Sequence, residues 1–317
     1  MTAPDAQAAE WLQAANACHD ADPPRGAELL RRIDATALDP GQRPLYAFLL
    51  NHVLTEKLGQ PAEAWQRQQA LLKAAGADAP LPVLRHAAAA ARLAGDAAGE
   101  DPLVSRLATV AGVGPAQAGE LVGLAAASFR LPRLGGRQGD EAGELALAAL
   151  APLHQPAWQR ASGLDAAAGA LTNNLASDLA ERPLGELRSA PLRQALAEAA
   201  ALAQGFWQRA GQWVQHERAH YLCAIAANAL GDAAEAERQA RAGLALITAF
   251  DQAGQERVDQ AFLRSELAHA LARQGQTAEA AVERVQADAL ADDFDDAELS
   301  AWYQRRLARQ RVLDGAA

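Results

Sequence analysis

The sequence of 317 residues has only two cysteines, one methionine and two lysines, and aromatic residues make up 5% of it. Cys18 and Cys223 lie far apart, and two cysteines in a cytosolic chain are usually reduced, so we expect no structural disulfide. No run approaches the 18 apolar residues of a membrane-spanning helix. Residues 1–13 have neither a basic leader nor an apolar core, so we expect no signal peptide. These absences favour a cytoplasmic protein without a membrane segment.

Basic residues are also fewer than acidic ones. Lysine and arginine number 29 against 39 aspartates and glutamates, which gives a formal net charge of −10 at pH 7. Nucleic-acid binding draws most of its affinity from lysine and arginine that neutralise phosphates. The charge balance therefore argues against a general DNA or RNA binder and leaves a protein or peptide as the favoured partner.

Alanine, by contrast, makes up about a quarter of the chain, and valine, isoleucine and threonine are sparse. Alanine is the best helix former, whereas strands are enriched in β-branched residues. The composition therefore predicts an all-α protein.

A short pattern occurs twice between Arg218 and Leu290. Each copy has an apolar helical run, a glycine followed by Asp or Gln, then Ala-Glu-Ala and a second amphipathic run. The marker glycines, Gly231 and Gly275, are 44 residues apart. A fixed period of this size is typical of stacked helical hairpins, none of which can bury its apolar face alone. The repeat predicts an α-solenoid of antiparallel helical hairpins.

Residues 132–143 contain four glycines and one proline without apolar periodicity. This composition predicts a linker or loop between an N-terminal helical block, 1–131, and a C-terminal helical array, 144–317. In the array, the apolar pattern predicts one long helix over Trp158–Glu181 and another over Phe206–Leu230. Asn173 and Asn174 lie within the first of these, where we expect them either to bond a neighbouring helix or to line a groove.

Segments 218–250 and 262–292, and more weakly 45–76, resemble tetratricopeptide repeats of the long-helix variety found in bacterial regulators. The matching positions are Ala224, Ala268, Gly231, Gly275, Ala236 and Ala280. Ala240 and Arg284 stand where the family has a bulky aromatic residue, and its closing proline is absent. The resemblance implies a right-handed solenoid that acts as a protein-interaction scaffold.

The resemblance further implies that the first helix of each hairpin lines a concave peptide-binding groove. Carried over to this sequence, the groove positions are Arg218, Tyr221, Ile225, Asn228, Phe262, Ser265, His269 and Arg273. Tyr221 and Ile225 replace the Lys/Asn clamp that some members use for a terminal carboxylate. The mixed surface predicts an extended peptide with apolar anchors. We therefore expect a non-enzymatic scaffold or regulator with no cofactor and no metal.

An enzyme alternative comes from His216, Glu217 and His220, which spell the H-E-x-x-H signature of zinc metallopeptidases. Two histidines at i and i+4 share a helix face, and the glutamate could activate a metal-bound water. Residues 243–246 of an antiparallel partner helix, Gly-Leu-Ala-Leu, would oppose them and offer no third ligand. Asp259 on the next hairpin is the remaining candidate for that ligand.

A nucleic-acid alternative comes from residues 107–121, which resemble a helix-hairpin-helix motif. The matching residues are Leu107, Val110, Gly112, Val113, Gly114, Ala118 and Leu121. In such motifs the hairpin Gly112–Gly114 would present backbone N–H groups to a DNA phosphate. Few cations flank this hairpin, and a tight turn between two packed helices is the simpler interpretation.

Overall fold

A computed structural model describes residues 3–134 and 139–315, with side chains described for 6–134 and 139–313. The described residues form helices and connecting turns and contain no strand, which confirms the all-α prediction. The α-helices are α1 Ala3–Cys18, α2 Pro23–Arg32, α3 Arg43–Leu49, α4 Pro61–Ala75, α5 Leu81–Ala94, α6 Ala97–Ala111, α7 Pro115–Arg130, α8 Gly139–Leu150, α9 Asp165–Glu181, α10 Ala190–Ala210, α11 Trp213–Leu230, α12 Ala233–Phe250, α13 Arg257–Arg273, α14 Thr277–Ala291 and α15 Ala297–Gly315.

The chain divides into two compact units. The first contains residues 1–135 and 148–167, and the second contains residues 136–147 and 168–317. Within the described part of the chain, no helix is both long enough and apolar enough to cross a membrane. Both cysteines are free, as expected.

In the first unit α5 packs against α4, α6 and α7. Its residues Ala87–Ala91 are completely buried, because single methyl groups let the neighbouring helices approach on several sides. Asn51 is buried beside α5, where its amide donates to the carbonyl oxygen of His86 at 2.8 Å. The buried Gln68 amide on α4 in turn donates to Asn51 Oδ1 at 3.1 Å. Polar side chains thus connect these alanine-rich helices.

Helix α3 continues without a break into a π-helical segment, Leu50–Lys57. The wide turn is visible in the bond from the Leu58 amide to the Val53 carbonyl, which spans five residues. π-Helical turns arise where tertiary packing overrides the regular bonding, and they occur frequently at functional sites.

In the second unit, α11 pairs with α12 and α13 pairs with α14, and α12 packs on α13. The two marker glycines end α11 and α13 in the same way. Gly231 has φ +88° and Gly275 has φ +79°, a conformation that costs glycine little. The next amide in each turn reaches back to the last helical turn, Asp232 to the Ala227 carbonyl and Gln276 to the Leu271 carbonyl, both at 2.9 Å.

Two predicted helices have different bounds in the structure. The predicted helix Trp158–Glu181 is wrong at its start, because α9 begins at Asp165 and a short 3-10 turn, Pro156–Gln159, precedes it. The Asp165 carboxylate accepts hydrogen bonds from the Ser162 amide and hydroxyl, which fixes the bend. The predicted helix Phe206–Leu230 is divided at Gly211, where the backbone is extended.

Part of the predicted linker 132–143 is described. Leu131–Arg133 form a 3-10 turn and α8 begins at Gly139, whereas residues 135–138 lie outside the described residues. Gly143 faces the start of α10, where an added Cβ would lie 2.3 Å from the Leu192 amide nitrogen. This glycine therefore permits a close helix contact within the second unit.

Candidate functional site

Three of the predicted groove residues meet at one pocket in the second unit. Arg218, Tyr221 and Ile225 project from α11 into a pocket of about 300 Å³. Helices α9, α13 and α15 supply the remaining walls through Asn173, Ser177, Ala180, Glu181, Asp259, Trp302 and Arg306, with Leu222 from α11. The first-helix face of this hairpin is thus open to a ligand, and the predicted role of Asn173 in lining a groove is consistent with its position there.

Arg218 joins the two hairpins electrostatically. Its guanidinium donates to Asp259 Oδ2 at 2.8 Å and to Glu256 Oε2 at 3.2 Å. The side chain remains 54% exposed, so solvent weakens these ion pairs. Glu217 lies behind it, with its carboxylate 3.6 Å from the Arg218 guanidinium. The Arg218 side chain therefore borders the pocket with its charge already paired.

Glu217 is fully buried next to other acids. Burial, together with the adjacent Asp259 carboxylate, raises the pKa of Glu217 to about 10. The pKa of Glu256 is also raised, through burial and the same neighbour. Glu217 therefore holds a proton at neutral pH, and its protonated carboxyl can donate a hydrogen bond to Asp259.

The Tyr221 hydroxyl oxygen is buried at the pocket and has no hydrogen-bond partner among the described residues. Burial raises the pKa of this phenol well above its usual range. The Tyr221 ring packs edge-on against Phe262, with centroids 5.8 Å apart. A buried hydroxyl without a partner costs stability.

The groove positions of the second hairpin lie under α15. Phe262 is 2% exposed and packs against Trp302 and Tyr303, with ring centroids 4.5 and 5.3 Å away. Ser265 is 1% exposed and bonds Gln310 on the same helix. The chain's own helix therefore covers this stretch of the predicted groove.

A buried polar network holds α15 in place. Arg306 donates to Glu266 Oε1 at 2.7 Å, and the Gln310 amide reaches the same oxygen at 3.0 Å. Asn228, another predicted groove residue, donates from α11 to Glu266 Oε2 at 2.8 Å. Burial would raise the pKa of Glu266, but Arg306 and Asn228 hold it below its ordinary value. Asn228 therefore connects helices inside the fold.

The two remaining groove positions lie farther along the hairpin. Arg273 is half-buried and donates to the Asn228 carbonyl at 3.4 Å. His269 is 2% exposed and lines a larger cavity of about 890 Å³ between α13, α14 and α15. Its polar lining includes Arg284, Asp288 and Gln304. The eight predicted positions thus do not form one groove. Three line the pocket, Phe262 and Ser265 lie under α15, and His269 lines this cavity. Asn228 bonds Glu266, and Arg273 bonds a backbone carbonyl.

Sequence reasoning did not identify the residues that α9 and α15 contribute. Glu181 and Trp302 are 121 positions apart, yet the Trp302 indole donates to the Glu181 carboxylate at 3.3 Å. Both come from helices outside the repeat, so the repeat pattern carries no signal for them. The acidic residues before α15 and the arginines near its end are typical of a solvated helix and do not indicate that Arg306 is buried.

His216 and His220 lie one turn apart on α11, as their spacing requires, whereas Glu217 is fully buried. His220 Nδ1 is 2.6 Å from Gln239 Oε1, and an added Cβ on Gly243 would lie 3.4 Å from His220 Cβ. In the described part of the chain, no other acid, cysteine or histidine joins His216 and His220 in a group of three converging ligands. Asp259 lies with Glu217 and Glu256 instead.

The segment 107–121 forms a helical hairpin between α6 and α7. Gly112 has φ +67°, and both Gly112 and Gly114 are exposed. The nearby Arg106 guanidinium bonds the Gly76 carbonyl at 2.9 Å, while Glu120 accepts from the Trp158 indole at 2.6 Å. The hairpin thus has the expected turn, and its nearest arginine is engaged by a backbone carbonyl.

No family model matches the chain, and no curated protein is significantly similar to it.

Proposed function

We propose that this chain is a cytoplasmic, non-enzymatic scaffold or regulator of the tetratricopeptide-like type, a right-handed solenoid that binds a peptide or partner protein. The 44-residue period and the identical glycine turns at Gly231 and Gly275 support the repeat. The consecutive packing of α11, α12, α13 and α14 agrees with stacked hairpins. A fold alone does not define a function, so the proposal depends on the pocket.

The observation that carries the proposal is the pocket at Arg218, Tyr221 and Ile225. It combines an apolar wall, an indole and a buried hydroxyl without a partner, the mixture that anchors a peptide side chain. The bound segment would leave the groove where α15 begins to cover α13. The peptide therefore contacts the first hairpin and α15 rather than both repeats.

Charge in the pocket favours a basic anchor. Both guanidinium groups are already paired, Arg218 with Asp259 and Arg306 with Glu266. The Glu181 carboxylate accepts a hydrogen bond from Trp302 and makes no ion pair with the described residues. An arginine or lysine of the peptide would pair with Glu181 and stack on the indole of Trp302.

The experiment is selection of peptides from a random library against the full chain, followed by anisotropy titration of the selected peptides. We expect enrichment of peptides with one basic and several apolar residues. Tyr221→Phe should weaken peptide binding about 2- to 13-fold, since one hydrogen bond contributes about 0.5–1.5 kcal/mol. Glu181→Gln should weaken peptide binding by a similar factor and reduce the salt dependence of binding.

Two matched variants control for general effects. Tyr46→Phe removes a tyrosine hydroxyl that bonds the Leu30 carbonyl outside the pocket, and Glu144→Gln neutralises an exposed helical glutamate. Neither should alter affinity. Failure to select any peptide, or equal affinity of the Tyr221→Phe, Glu181→Gln and control variants, would overturn the proposal.

A further inference from the structure

Two histidines and an aspartate converge in the first unit, where the end of α1 meets the π-helical segment. His19 Nε2 lies 3.2 Å from Asp20 Oδ2, and His52 Nε2 lies 3.2 Å from Asp20 Oδ1. The two imidazole rings meet edge to face with centroids 5.1 Å apart. All three ligand atoms lie within 4.8 Å of one another. Three electron-pair donors thus lie close enough together to share one ion.

The other nitrogen of each ring is held by an acceptor. His19 Nδ1 is 2.5 Å from the Asn16 carbonyl oxygen, and His52 Nδ1 is 2.8 Å from Glu56 Oε2. A carbonyl and an ionised carboxylate can only accept, so each Nδ1 carries the hydrogen. In the neutral rings each Nε2 then presents a lone pair to Asp20. Such a contact is satisfied either by a second ring proton or by a cation that the ring and the carboxylate both coordinate.

This arrangement has the features of a transition-metal site. Histidine ligands almost always donate their second ring N–H to a carboxylate or backbone carbonyl, as His19 and His52 do here. Tetrahedral zinc bonds of about 2.0–2.2 Å place adjacent ligand atoms roughly 3.3–3.5 Å apart. The two distances of 3.2 Å between imidazole nitrogen and carboxylate oxygen are close to that separation.

The π-helical segment explains why these groups share one side. A π-turn closes on the fifth residue, so His52, Glu56 and Lys57 lie on one face of Leu50–Lys57. In an α-helix, Lys57 would lie about 140° around the axis from His52. Lys57 Nζ is 2.8 Å from Asp20 Oδ1, so a cationic side chain already lies against this carboxylate. The π-helical turn therefore places His52, the carboxylate of Glu56 that supports it and the competing ammonium of Lys57 on the same side of the helix.

We infer that His19, Asp20 and His52 bind a divalent transition-metal ion, of which zinc is the best match, with Glu56 and the Asn16 carbonyl orienting the imidazoles. Two imidazole nitrogens favour zinc, cobalt, nickel or copper over magnesium and calcium, which prefer oxygen ligands. The Asp20 side chain is 65% exposed, so solvent reaches the fourth coordination position. The site is separate from the peptide pocket and does not depend on the proposed function.

The test is titration of the full chain, purified without a histidine tag, with Zn²⁺ and Co²⁺ in competition with a chromogenic chelator. We expect one equivalent of zinc and a visible absorption spectrum of four-coordinate Co²⁺. Asp20→Ala and His19→Ala should each lower zinc affinity more than about 100-fold. Glu56→Ala should lower it about 10- to 100-fold, as the loss of an orienting partner does elsewhere.

Several variants separate this site from its rivals. His154→Ala removes an exposed histidine of the same unit and should change nothing. Lys57→Met should tighten zinc binding, because the ammonium no longer competes for Asp20. His52 stacks on Phe48, with centroids 5.2 Å apart, so the more exposed Asp20 provides the cleaner loss variant.

Two results would overturn the inference. One is the absence of zinc and cobalt uptake by the wild-type chain. The other is uptake that survives Asp20→Ala and His19→Ala but disappears with His220→Ala, which would assign the ion to the H-E-x-x-H residues instead.

Discussion

Glu217→Gln should stabilise the protein, and by an amount that increases with pH. The ordinary pKa of a glutamate is 4.5, whereas burial beside Asp259 raises that of Glu217 to about 10. Between these values the unfolded chain loses a proton that the folded chain retains. The free energy of unfolding therefore falls as pH rises, by about 1.4 kcal/mol per pH unit from this one group.

The magnitude at a given pH follows from the same relation. At pH 7 the wild-type chain has lost about 3 kcal/mol relative to its value below pH 4.5. A glutamine has the shape of the protonated glutamate and can also donate to Asp259, but it has no proton to lose. The stability difference between Glu217→Gln and wild type should therefore increase by roughly 1.4 kcal/mol with each pH unit between about 5 and 8.

Urea denaturation followed by far-ultraviolet circular dichroism at several pH values measures this difference. Glu144→Gln, on an exposed face of α8, provides the control and should differ from wild type by the same small amount at every pH. A difference for Glu217→Gln that does not change with pH, or a variant less stable than wild type at pH 8, would refute the reasoning.

Three further predictions concern stability and use the same denaturation assay. Gly231→Ala should lower the free energy of unfolding by about 1–2 kcal/mol, because φ there is +88°. Gly205→Ala, inside α10 with open space at Cβ, should raise it by about 0.5–1 kcal/mol. Equal effects of the two substitutions would contradict the left-handed turn. Ala236→Leu should cost about 1–3 kcal/mol by overpacking, while Ala245→Leu on the exposed face should be nearly neutral. Glu266→Ala should lower the free energy of unfolding by about 3–5 kcal/mol, because it leaves the Arg306 charge buried without its partner. Adding Arg306→Met should restore most of that loss.

The parts of the fold that the sequence predicted correctly depend on local contacts. Gly231 and Gly275 end their helices through bonds within six residues, so a short pattern is enough to locate them. The break before Asp165 is also local, and the Ser-Gly-Leu-Asp stretch preceding α9 contains its signal. The apolar spacing nevertheless predicts a continuous helix, because it runs through the bend.

The rest of the site depends on contacts between distant residues. The burial of Phe262 and Ser265 follows from where α15 packs, about 40 residues away, and the repeat pattern does not specify that. His19 and His52 are likewise brought together by tertiary packing. The H-E-x-x-H motif, by contrast, can be recognised in the sequence because its residues are close together along the chain. Chemistry-bearing residues that converge from separate helices therefore have to be found in three dimensions.

The buried polar network of α15 bears on how this alanine-rich chain selects one packing. Alanine side chains form shallow ridges and grooves, so sliding one helix along another by a turn, about 5.4 Å, changes apolar contact little. The bonds among Asn228, Glu266, Arg306 and Gln310 exist in only one register. Asn51 has the corresponding role in the first unit, through its bond to the His86 carbonyl. We therefore expect that apolar replacements of these buried polar groups would keep the helices while allowing them to slip.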